Sequence, residues 1–274
     1  MTIFRCPLCG GPLWEVPQGL RCPKGHSFDR AKEGYVHLLP VSQKHSLSPG
    51  DDKAMVAARR AFLDKGWYAP LREALAALAV EHTGSEPVVL DAGCGEGYYT
   101  VGILEALVSA GKAPHVAGFD ISKFAVQKAA KRCPELDLAV ASAYHLPVAD
   151  GAVDLLRNVF SPLAIEEFRR VLKPGGYYLY VVPAAHHLWE LKEVLYDAPY
   201  LNEEKETPYE GFSYEKIVSV SYTVRLPNQE DIQALFQMTP YAWKTPGSGK
   251  ARLAALTELD CQVDFRVHVF KKED

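Results

Sequence analysis

The sequence predicts an α/β fold in which a small metal-binding module precedes a parallel, doubly wound sheet. From Pro87 onwards, short apolar segments alternate with helical ones, which indicates tandem βα units with a ligand site at the carboxyl ends of the strands. Nearer the N-terminus, Cys6, Cys9, Cys22 and His26 have the spacing Cys-x2-Cys-x12-Cys-x3-His. That spacing is typical of a closed tetrahedral zinc site. A chain of 274 residues has room for both parts.

The composition excludes several classes of protein. Hydrophobic residues make up 48% of the chain and charged residues 23%, as in an ordinary globular protein. We expect no transmembrane helix, because no apolar run reaches about 18 residues, and the cysteine array begins too early to leave room for a signal peptide. The scattered Cys94, Cys133 and Cys261 are predicted to be free thiols in a reducing cytoplasm. The net charge of −4 argues against nonspecific coating of nucleic acid.

Three segments are expected along the chain. Residues 1–34 are rich in turns and too short to fold without the metal, so they are predicted to form a zinc-binding, RNA-recognising domain. Residues 35–50 are predicted to be a linker. Residues 51–274 are predicted to form the α/β domain, in which Asp51 or Asp52 caps a first helix that ends before Gly66.

Within the large domain, the predicted strands alternate with helices and then give way to a looser C-terminal part. Five strands are expected at residues 88–91, 115–120, 138–141, from 153, and at 177–182. Further along, a strand near 221–226, a helix capped by Asn228 and a strand at 263–270 complete the prediction.

The loop after the first of these strands predicts a cofactor site. It holds an acidic residue and three glycines, namely Asp91, Gly93, Gly95 and Gly97. Glycines at this spacing let the backbone pass close to a ligand, but the third comes one residue earlier than in the dinucleotide fingerprint. The carboxylate of Glu96 would repel a pyrophosphate, whereas S-adenosylmethionine carries an ammonium and a sulfonium. The electrostatics therefore favour the methyl donor, with Asp120 placed to bind two ribose hydroxyls.

Two residues after the fourth strand are candidates for contact with the substrate. Asn158 and Phe160 lie where this class of sheet places substrate-facing residues, and they could hydrogen-bond and stack a base. The alternative is that they form only a strand end and a turn at Pro162. The zinc is predicted to be structural, because four protein ligands leave no open position for water. A disulfide or a chance cluster is the alternative to zinc.

The first 47 residues are locally basic. They contain Arg5, Arg21, Lys24, Arg30, Lys32 and Lys44, with His45 in the same stretch, against Glu15, Asp29 and Glu33. A basic face on an acidic protein is compatible with a specific RNA partner, and the alternative is an ordinary solvated surface.

Several runs of sequence together resemble one family. They are CPLC (6–9), AKEGYVHLLP (31–40), ARRAFL (58–63), GCGEGYY (93–99) and QMTPYAW (237–243). They are similar to the bacterial large-subunit (23S) ribosomal RNA guanine-N1 methyltransferases of the RlmA/RrmA type, and the similarity extends over essentially the whole chain.

The resemblance implies a zinc-binding N-terminal domain, a Rossmann-like methyltransferase domain over 51–274 and S-adenosylmethionine as cofactor. The implied substrate is a guanine in a hairpin loop of domain II of the large ribosomal RNA. By position, the zinc ligands are Cys6, Cys9, Cys22 and His26, and the cofactor contacts are Tyr68, Gly95, Glu96 and His187. The family has two branches that modify neighbouring guanines, and Pro49-Gly50-Asp51 is more similar to the branch of Gram-negative bacteria.

Other functions stay open at this level. One is a methyltransferase for a small molecule or protein, with a structural zinc knuckle and turnover without RNA. Another is a noncatalytic RNA- or protein-binding module with a vestigial cofactor fold, against which the intact glycine loop speaks. The sequence leaves open which guanine is modified, which group accepts the N1 proton, whether the protein is a homodimer, and whether naked RNA or an assembly intermediate is the substrate.

Overall fold

Two β-sheets organise the part of the chain that the computed structural model describes, residues 2–43 and 49–274. The small sheet has three antiparallel strands, β1 Trp14–Val16, β2 Gly19–Arg21 and β3 Ser27–Asp29. The large sheet has eight strands: β4 Val36–His37, β5 Val88–Ala92, β6 His115–Asp120, β7 Asp137–Val140, β8 Val153–Val159, β9 Leu172–Pro183, β10 Phe212–Leu226 and β11 Leu259–Lys272.

Helices cover both faces of the large sheet. They are α1 Lys53–Asp64, α2 Ala69–Glu81, α3 Tyr98–Ser109, α4 Lys123–Arg132, α5 Ile165–Val171, α6 Trp189–Leu195, α7 Gln229–Gln237, α8 Tyr241–Lys244 and α9 Gly247–Ala254. Three begin at polar caps that satisfy free backbone amides, with Asp52 at α1, Ser122 at α4 and Asn228 at α7. None of the described helices is long and apolar enough to cross a bilayer.

The order of the strands fixes where a ligand can bind. Across the large sheet the order is β10-β11-β9-β8-β5-β6-β7-β4. The strands from β4 to β9 run parallel to their neighbours, while β11 lies antiparallel to both β9 and β10. The chain begins the central part at β5, runs outward through β6 to β7, and then returns to β8. The topological switch point therefore lies between the carboxyl ends of β5 and β8.

Two hydrophobic clusters pack on opposite faces of this sheet. Alternation along the strands directs Val89 and Leu155 into one cluster and Leu90 and Leu156 into the other. The second cluster also contains Phe4, Leu13 and Leu20 of the N-terminal module. The zinc-binding segment therefore shares a core with the large domain.

The beginning of the expected linker is part of the sheet. In β4, Val36 pairs with Ala139, and the amide of Leu38 donates to the carbonyl of Val140 at 2.9 Å. The side chains of Tyr35, Val36, Leu38 and Leu39 are buried. Burial of these side chains stabilises this segment as an edge strand of the sheet, so it is not the linker that the sequence predicted. Residues 44–48 of the expected linker, including Lys44 and His45, lie outside the described residues.

The C-terminal strands are longer than the predicted segments 221–226 and 263–270. β10 and β11 pair with one another from Phe212↔Lys272 to Leu226↔Leu259. β10 is an edge strand with much of its length half-buried or exposed. Its hydrophobic pattern is therefore too weak to mark the full strand in the sequence.

Candidate functional site

The four predicted metal ligands come together at one point of the N-terminal module. Their ligand atoms all lie within 4.8 Å of one another. Nδ1 of His26 is 3.4 Å from Sγ of Cys6 and 3.3 Å from Sγ of Cys22. The Sγ atoms of Cys9 and Cys22 are 3.7 Å apart.

This donor set fits zinc. With Zn–S bonds of about 2.3 Å and a Zn–N bond of about 2.0 Å, tetrahedral ligand atoms lie about 3.5–3.8 Å apart. Three thiolates and one imidazole are also the donors that zinc prefers. Backbone amides approach the cysteines at two turns, where Gly10 donates to the carbonyl of Cys6 at 2.8 Å and Gly25 to that of Cys22 at 2.9 Å. Four ligands close the coordination sphere, so the site has the character of a structural centre.

The basic side chains of this module differ in what they contact. Arg30 forms a two-pronged ion pair with Glu15, at 2.9 and 2.8 Å, and also donates to the carbonyl of Gly34. Arg21 and Lys24 are exposed beside the second zinc turn. These two are the better placed to contact an external phosphate.

The glycine loop connects β5 to α3 at the predicted position. A side chain at Gly93 would collide with Ser161, because an added Cβ would lie 2.4 Å from its side-chain atoms. Gly95 has φ +57°, and an added Cβ would meet nothing within 4 Å. The backbone at Gly95 therefore borders open space at the carboxyl end of β5, while Gly97, with φ +86°, is the cap residue that precedes α3. This arrangement leaves room for a ligand against the backbone.

Asp120 lies at the end of β6, next to that loop. Its Oδ2 accepts from the amide of Gly95 at 3.0 Å, and its Oδ1 accepts from the amide of Ser122 at 2.8 Å. Burial raises the pKa of Asp120 to about 6, although these two amides oppose the shift. Each oxygen keeps a further lone pair for a hydroxyl donor.

Glu96 is buried, and its charge is paired within the protein. Its Oε2 forms an ion pair with Arg132, which also contacts Asp64 at 2.6 Å and the backbone carbonyl of Glu96 at 3.2 Å. Burial raises the pKa of Glu96, opposed by the nearby charge of Arg132. Because Arg132 offsets this charge, repulsion of a pyrophosphate is weaker than the sequence argument assumed. The other oxygen, Oε1, is buried without a partner.

Asp91 is paired with a residue that the sequence interpretation did not select. It forms a fully buried ion pair with Arg157 of β8 and accepts a hydrogen bond from Thr100 of α3. An Arg inside the otherwise apolar segment 153–159 was the available signal, since a buried charge needs a partner.

Four aromatic rings from distant parts of the chain meet at one place. Tyr68 lies 5.1 Å from Phe265, and His187 lies 4.5 Å from Phe265, measured between ring centroids. Phe160 stacks on His187 at 6.3 Å with an interplanar angle of 22°. The sequence interpretation missed Phe265, because nothing local distinguishes it from a core residue of β11.

Phe160 is the exposed member of this group. Its side chain is 51% exposed, and its φ of +51° is a left-handed conformation that bulky residues rarely adopt. Such local strain persists where the surrounding structure fixes it, often at functional sites. Asn158 is fully buried below, where its Nδ2 donates to Ser161 at 2.8 Å and to the carbonyl of Pro162 at 3.1 Å. Asn158 therefore holds the turn on which Phe160 stands.

His187 is a neutral hydrogen-bond donor. The amide of Asp264 donates to its Nδ1 at 3.2 Å, so the ring proton must lie on Nε2. Burial, with the nearby positive charge of Lys192, lowers the pKa of His187 to about 3. It cannot hold an additional proton near neutral pH.

The site residues fit S-adenosylmethionine in its general features. The loop borders open space at Gly95, and Asp120 offers acceptor lone pairs at the strand end. Buried polar atoms without partners remain at Asp91 Oδ1 and Arg157 Nη1. Unpaired buried groups of both charges suit a ligand that carries both an ammonium and a carboxylate.

Two family descriptions match separate parts of the chain. Residues 4–47 match the zinc-ribbon family described as "RlmA, N-terminal". Residues 89–176 match the family described as "Methyltransferase domain".

Three curated relatives are similar over nearly their whole length. A putative 23S rRNA (guanine-N(1)-)-methyltransferase of Micromonospora griseorubida is 38% identical, with 93% of this chain and 92% of that protein covered. The 23S rRNA (guanine(748)-N(1))-methyltransferase of Streptomyces fradiae is 36% identical, with 96% and 95% covered. The putative 23S rRNA (guanine-N(1)-)-methyltransferase YxjB of Bacillus subtilis (strain 168) is 34% identical, with 99% and 98% covered.

Solved structures share the fold at low sequence identity. The YcgJ protein from Bacillus subtilis has a TM-score of 0.51 and 17% identity, with 73% of this chain and 98% of that chain covered. A putative methyltransferase from Bacillus halodurans C-125 has a TM-score of 0.50 and 15% identity, with 73% and 99% covered. Together with the order of the strands, they confirm the predicted Rossmann-like sheet.

Proposed function

Because this chain belongs to the family of 23S rRNA (guanine-N1)-methyltransferases, we propose that it methylates N1 of a guanine in a hairpin loop of the large ribosomal RNA. The chain is an S-adenosylmethionine-dependent methyltransferase with a zinc ribbon. The observation that carries the proposal is similarity to these relatives over both the ribbon and the C-terminal part, at 34–38% identity. A match to the methyltransferase domain alone would support only the fold and the donor.

The two cofactors have separate roles. We assign the zinc to Cys6, Cys9, Cys22 and His26, where it stiffens the ribbon rather than taking part in chemistry. We assign the methyl donor to the loop at Gly93–Gly97 with Asp91 and Asp120, and to the neighbouring Tyr68 and His187. For Glu96, Arg132 occupies Oε2 and the backbone carbonyl, which leaves the backbone amide and the unpaired Oε1 for the ligand.

The exposed Phe160 is proposed to stack on the target base. It stands at the carboxyl end of β8, beside the switch point, and its ring already lies nearly parallel to His187. A guanine on its outer face would be held by an aromatic surface, as unpaired bases commonly are. A base in a hairpin loop is also less costly to unstack than one in a duplex. Asn158 is proposed to position the turn and not to contact the base.

The transfer step requires a proton to leave. When bound, S-adenosylmethionine supplies a methyl group already activated by its sulfonium. Guanine N1 carries a proton near neutral pH, so this proton is lost as the N1–methyl bond forms and the methyl–sulfur bond breaks. Because burial lowers the pKa of His187, its ring is a weak base and a poor acceptor for this proton. We propose that water takes the proton, while the protein contributes by positioning the base and the donor.

The proposal extends to the surroundings of the enzyme. We place it in the cytoplasm, where ribosomal RNA is made and where the thiols of Cys94, Cys133 and Cys261 stay reduced. A homodimer stays a prediction, which sedimentation analysis at several concentrations would test.

Mapping of methylated guanines by mass spectrometry tests the function directly. In a strain that lacks the gene, one N1-methylguanine of 23S rRNA should disappear, and it should return on complementation with the wild-type gene. The same experiment identifies the base: the curated Streptomyces fradiae relative is named for guanine 748, while Pro49–Asp51 predicts the branch for the neighbouring guanine. An unchanged methylation pattern would reject the ribosomal substrate.

Methyl transfer measured in vitro separates an RNA methyltransferase from a methyltransferase that acts on a small molecule or protein. The proposed enzyme should methylate naked hairpin RNA or a ribosome assembly intermediate, and the comparison of these two shows which is the substrate. Turnover without any RNA would instead support a small-molecule or protein methyltransferase.

A further inference from the structure

A buried ion pair lies at the topological switch point of the sheet. Asp91 and Arg157 are direct register partners on β5 and β8, so their side chains leave the sheet on the same face. Both side chains are 1% exposed, and Nη2 of Arg157 contacts Oδ2 of Asp91. Thr100 of α3 also donates to Oδ2. The guanidinium lies over the ring of Tyr99, with 5.1 Å to the ring centroid.

The pair is only half satisfied within the protein. Nε and Nη1 of Arg157 and Oδ1 of Asp91 are buried and have no hydrogen-bond partner. By contrast, the buried Lys192 donates to the carbonyl of Tyr200 at 3.0 Å and to Oδ1 of Asn202 at 2.7 Å. Buried polar atoms are almost always paired, so three unpaired ones on two touching side chains indicate a missing partner.

The fold itself does not explain why this pair is present. A buried ion pair can often be replaced by apolar side chains without loss of stability, because the charges lose their hydration. The remaining free atoms are two donors on a cation and one acceptor on an anion. They form an adjacent positive and negative site, at the edge where ligands of doubly wound sheets bind.

We propose that Arg157 and Asp91 together bind the amino-acid end of S-adenosylmethionine. Arg157 donates through Nε or Nη1 to the α-carboxylate, and Asp91 accepts from the α-ammonium through Oδ1. The zwitterion of the ligand then complements the two charges and gives a partner to Oδ1 of Asp91 and to one of the two free donors of Arg157. This inference rests on the donor of the proposed function and is independent of the RNA substrate.

Ligand binding without turnover tests the role of Arg157. The probes are S-adenosylhomocysteine and its decarboxylated analogue, measured by isothermal titration with no RNA present. Charge-assisted hydrogen bonds predict that the wild-type protein prefers S-adenosylhomocysteine by about 10- to 100-fold. Arg157→Gln should reduce this preference to within about threefold, because affinity falls for S-adenosylhomocysteine but not for the analogue. A folded Arg157→Gln protein that keeps the wild-type preference would overturn the proposal.

Two further proteins separate binding from folding. In the double variant Asp91→Asn/Arg157→Met, neither charge remains, so it should melt close to the wild type and still lose the preference. Lys173→Gln breaks the ion pair with Asp154 at the opposite end of β8, and it should leave both affinities unchanged. If the double variant melts normally and also keeps the preference, Arg157 is a structural residue only.

A crystal structure of the wild-type protein with S-adenosylhomocysteine decides the matter without any variant. We expect Nε or Nη1 of Arg157 within hydrogen-bond distance of the α-carboxylate. A carboxylate held only by other groups would overturn the inference. If the wild-type protein binds no S-adenosylhomocysteine, the donor and this inference both fail. Normal ligand discrimination with unmethylated RNA would instead reject only the ribosomal substrate.

Discussion

At the scale of single residues, the environment of Asp120 makes cofactor binding dependent on pH. The carboxyl group is buried at the end of β6, between the amides of Gly95 and Ser122. Burial raises its pKa to about 6; the charge of Asp51 adds to this shift and the charge of Arg59 opposes it. Near pH 6 about half of the free protein therefore carries a protonated Asp120.

We predict that affinity for S-adenosylmethionine rises from pH 5 to pH 7 and then levels off. The reason is that only the ionised carboxylate accepts freely from both ribose hydroxyls. Asp120→Ala should weaken binding by about 1.5–3 kcal/mol at pH 7.5 and flatten the pH dependence. Isothermal titration across this range measures both effects. An unchanged affinity would mean that Asp120 is not the ribose ligand.

A second prediction concerns Phe160. Phe160→Leu keeps an apolar side chain but removes the stacking surface, so catalysis on hairpin RNA should lose about 1–3 kcal/mol in kcat/KM. Affinity for S-adenosylmethionine should stay within about twofold, and Phe160→Trp should restore most of the activity. Steady-state kinetics with a hairpin substrate provides the measurement. Equal activity of the Leu and wild-type proteins would remove Phe160 from the site.

At the scale of elements, the zinc ribbon depends on its metal. Its three strands have three residues each. Cys6 and Cys9 precede β1, whereas Cys22 and His26 lie between β2 and β3, so a bound metal joins these two segments. So few residues cannot bury enough apolar surface to fold alone, and binding of the metal supplies the missing stability.

We therefore expect about one zinc per chain in the native protein, and Cys22→Ser should release it and unfold residues 1–34. The variant should also melt at a lower temperature, because the ribbon shares a core with the large domain. The cofactor loop lies on β5 in the centre of the sheet, so the affinity of the folded variant for S-adenosylmethionine should fall only a few-fold. Elemental analysis and titration of the same sample measure the two effects. Natively purified protein without zinc would contradict the assignment.

The ribbon is also predicted to contact RNA through Arg21 and Lys24. Phosphate contacts position the RNA without specifying its sequence. Arg21→Ala/Lys24→Ala should therefore raise the KM for hairpin RNA, and RNA binding by the variant should depend less on salt concentration. Affinity for S-adenosylmethionine should not change. Arg225→Ala, on the exposed edge strand β10, is the matched control. A double variant that methylates RNA like the wild type at every salt concentration would remove this role.

At the scale of the whole molecule, ribbon and large domain behave as one packed body. Phe4 is fully buried in the cluster that also contains Leu90 and Leu156, and its backbone bridges to Val148. β4 then joins the sheet directly after the ribbon. The boundary between the two parts therefore crosses a continuous core.

This packing predicts a single cooperative thermal transition for the zinc-loaded protein. Phe4→Ala should destabilise the whole protein by about 3–5 kcal/mol, because it removes a buried aromatic side chain and leaves a cavity. Calorimetry measures both the number of transitions and the shift. Two separate transitions in the wild type would show that the ribbon folds independently.

The part of the fold that could be predicted is the part that has local signals. Asp52, Ser122 and Asn228 cap helices as residues of their type do, because their side chains satisfy the free amides of the first turn. The glycine loop was located correctly, since a strand followed by closely spaced glycines has few other uses. The edge strand β4 was missed, because two residues carry no recognisable strand pattern and become a strand only by pairing with β7.

By itself, the sequence determined the family, the donor and the spacing of the metal ligands, all of which depend on residues close together in the chain. Tertiary structure alone decided that Arg157 neutralises Asp91, that Asn158 is buried beneath its turn, and that Tyr68, Phe160, His187 and Phe265 meet. The physical reason is that backbone sterics and caps act between neighbours along the chain. Burial, ion pairing and ring contacts instead depend on which distant segments the sheet brings side by side.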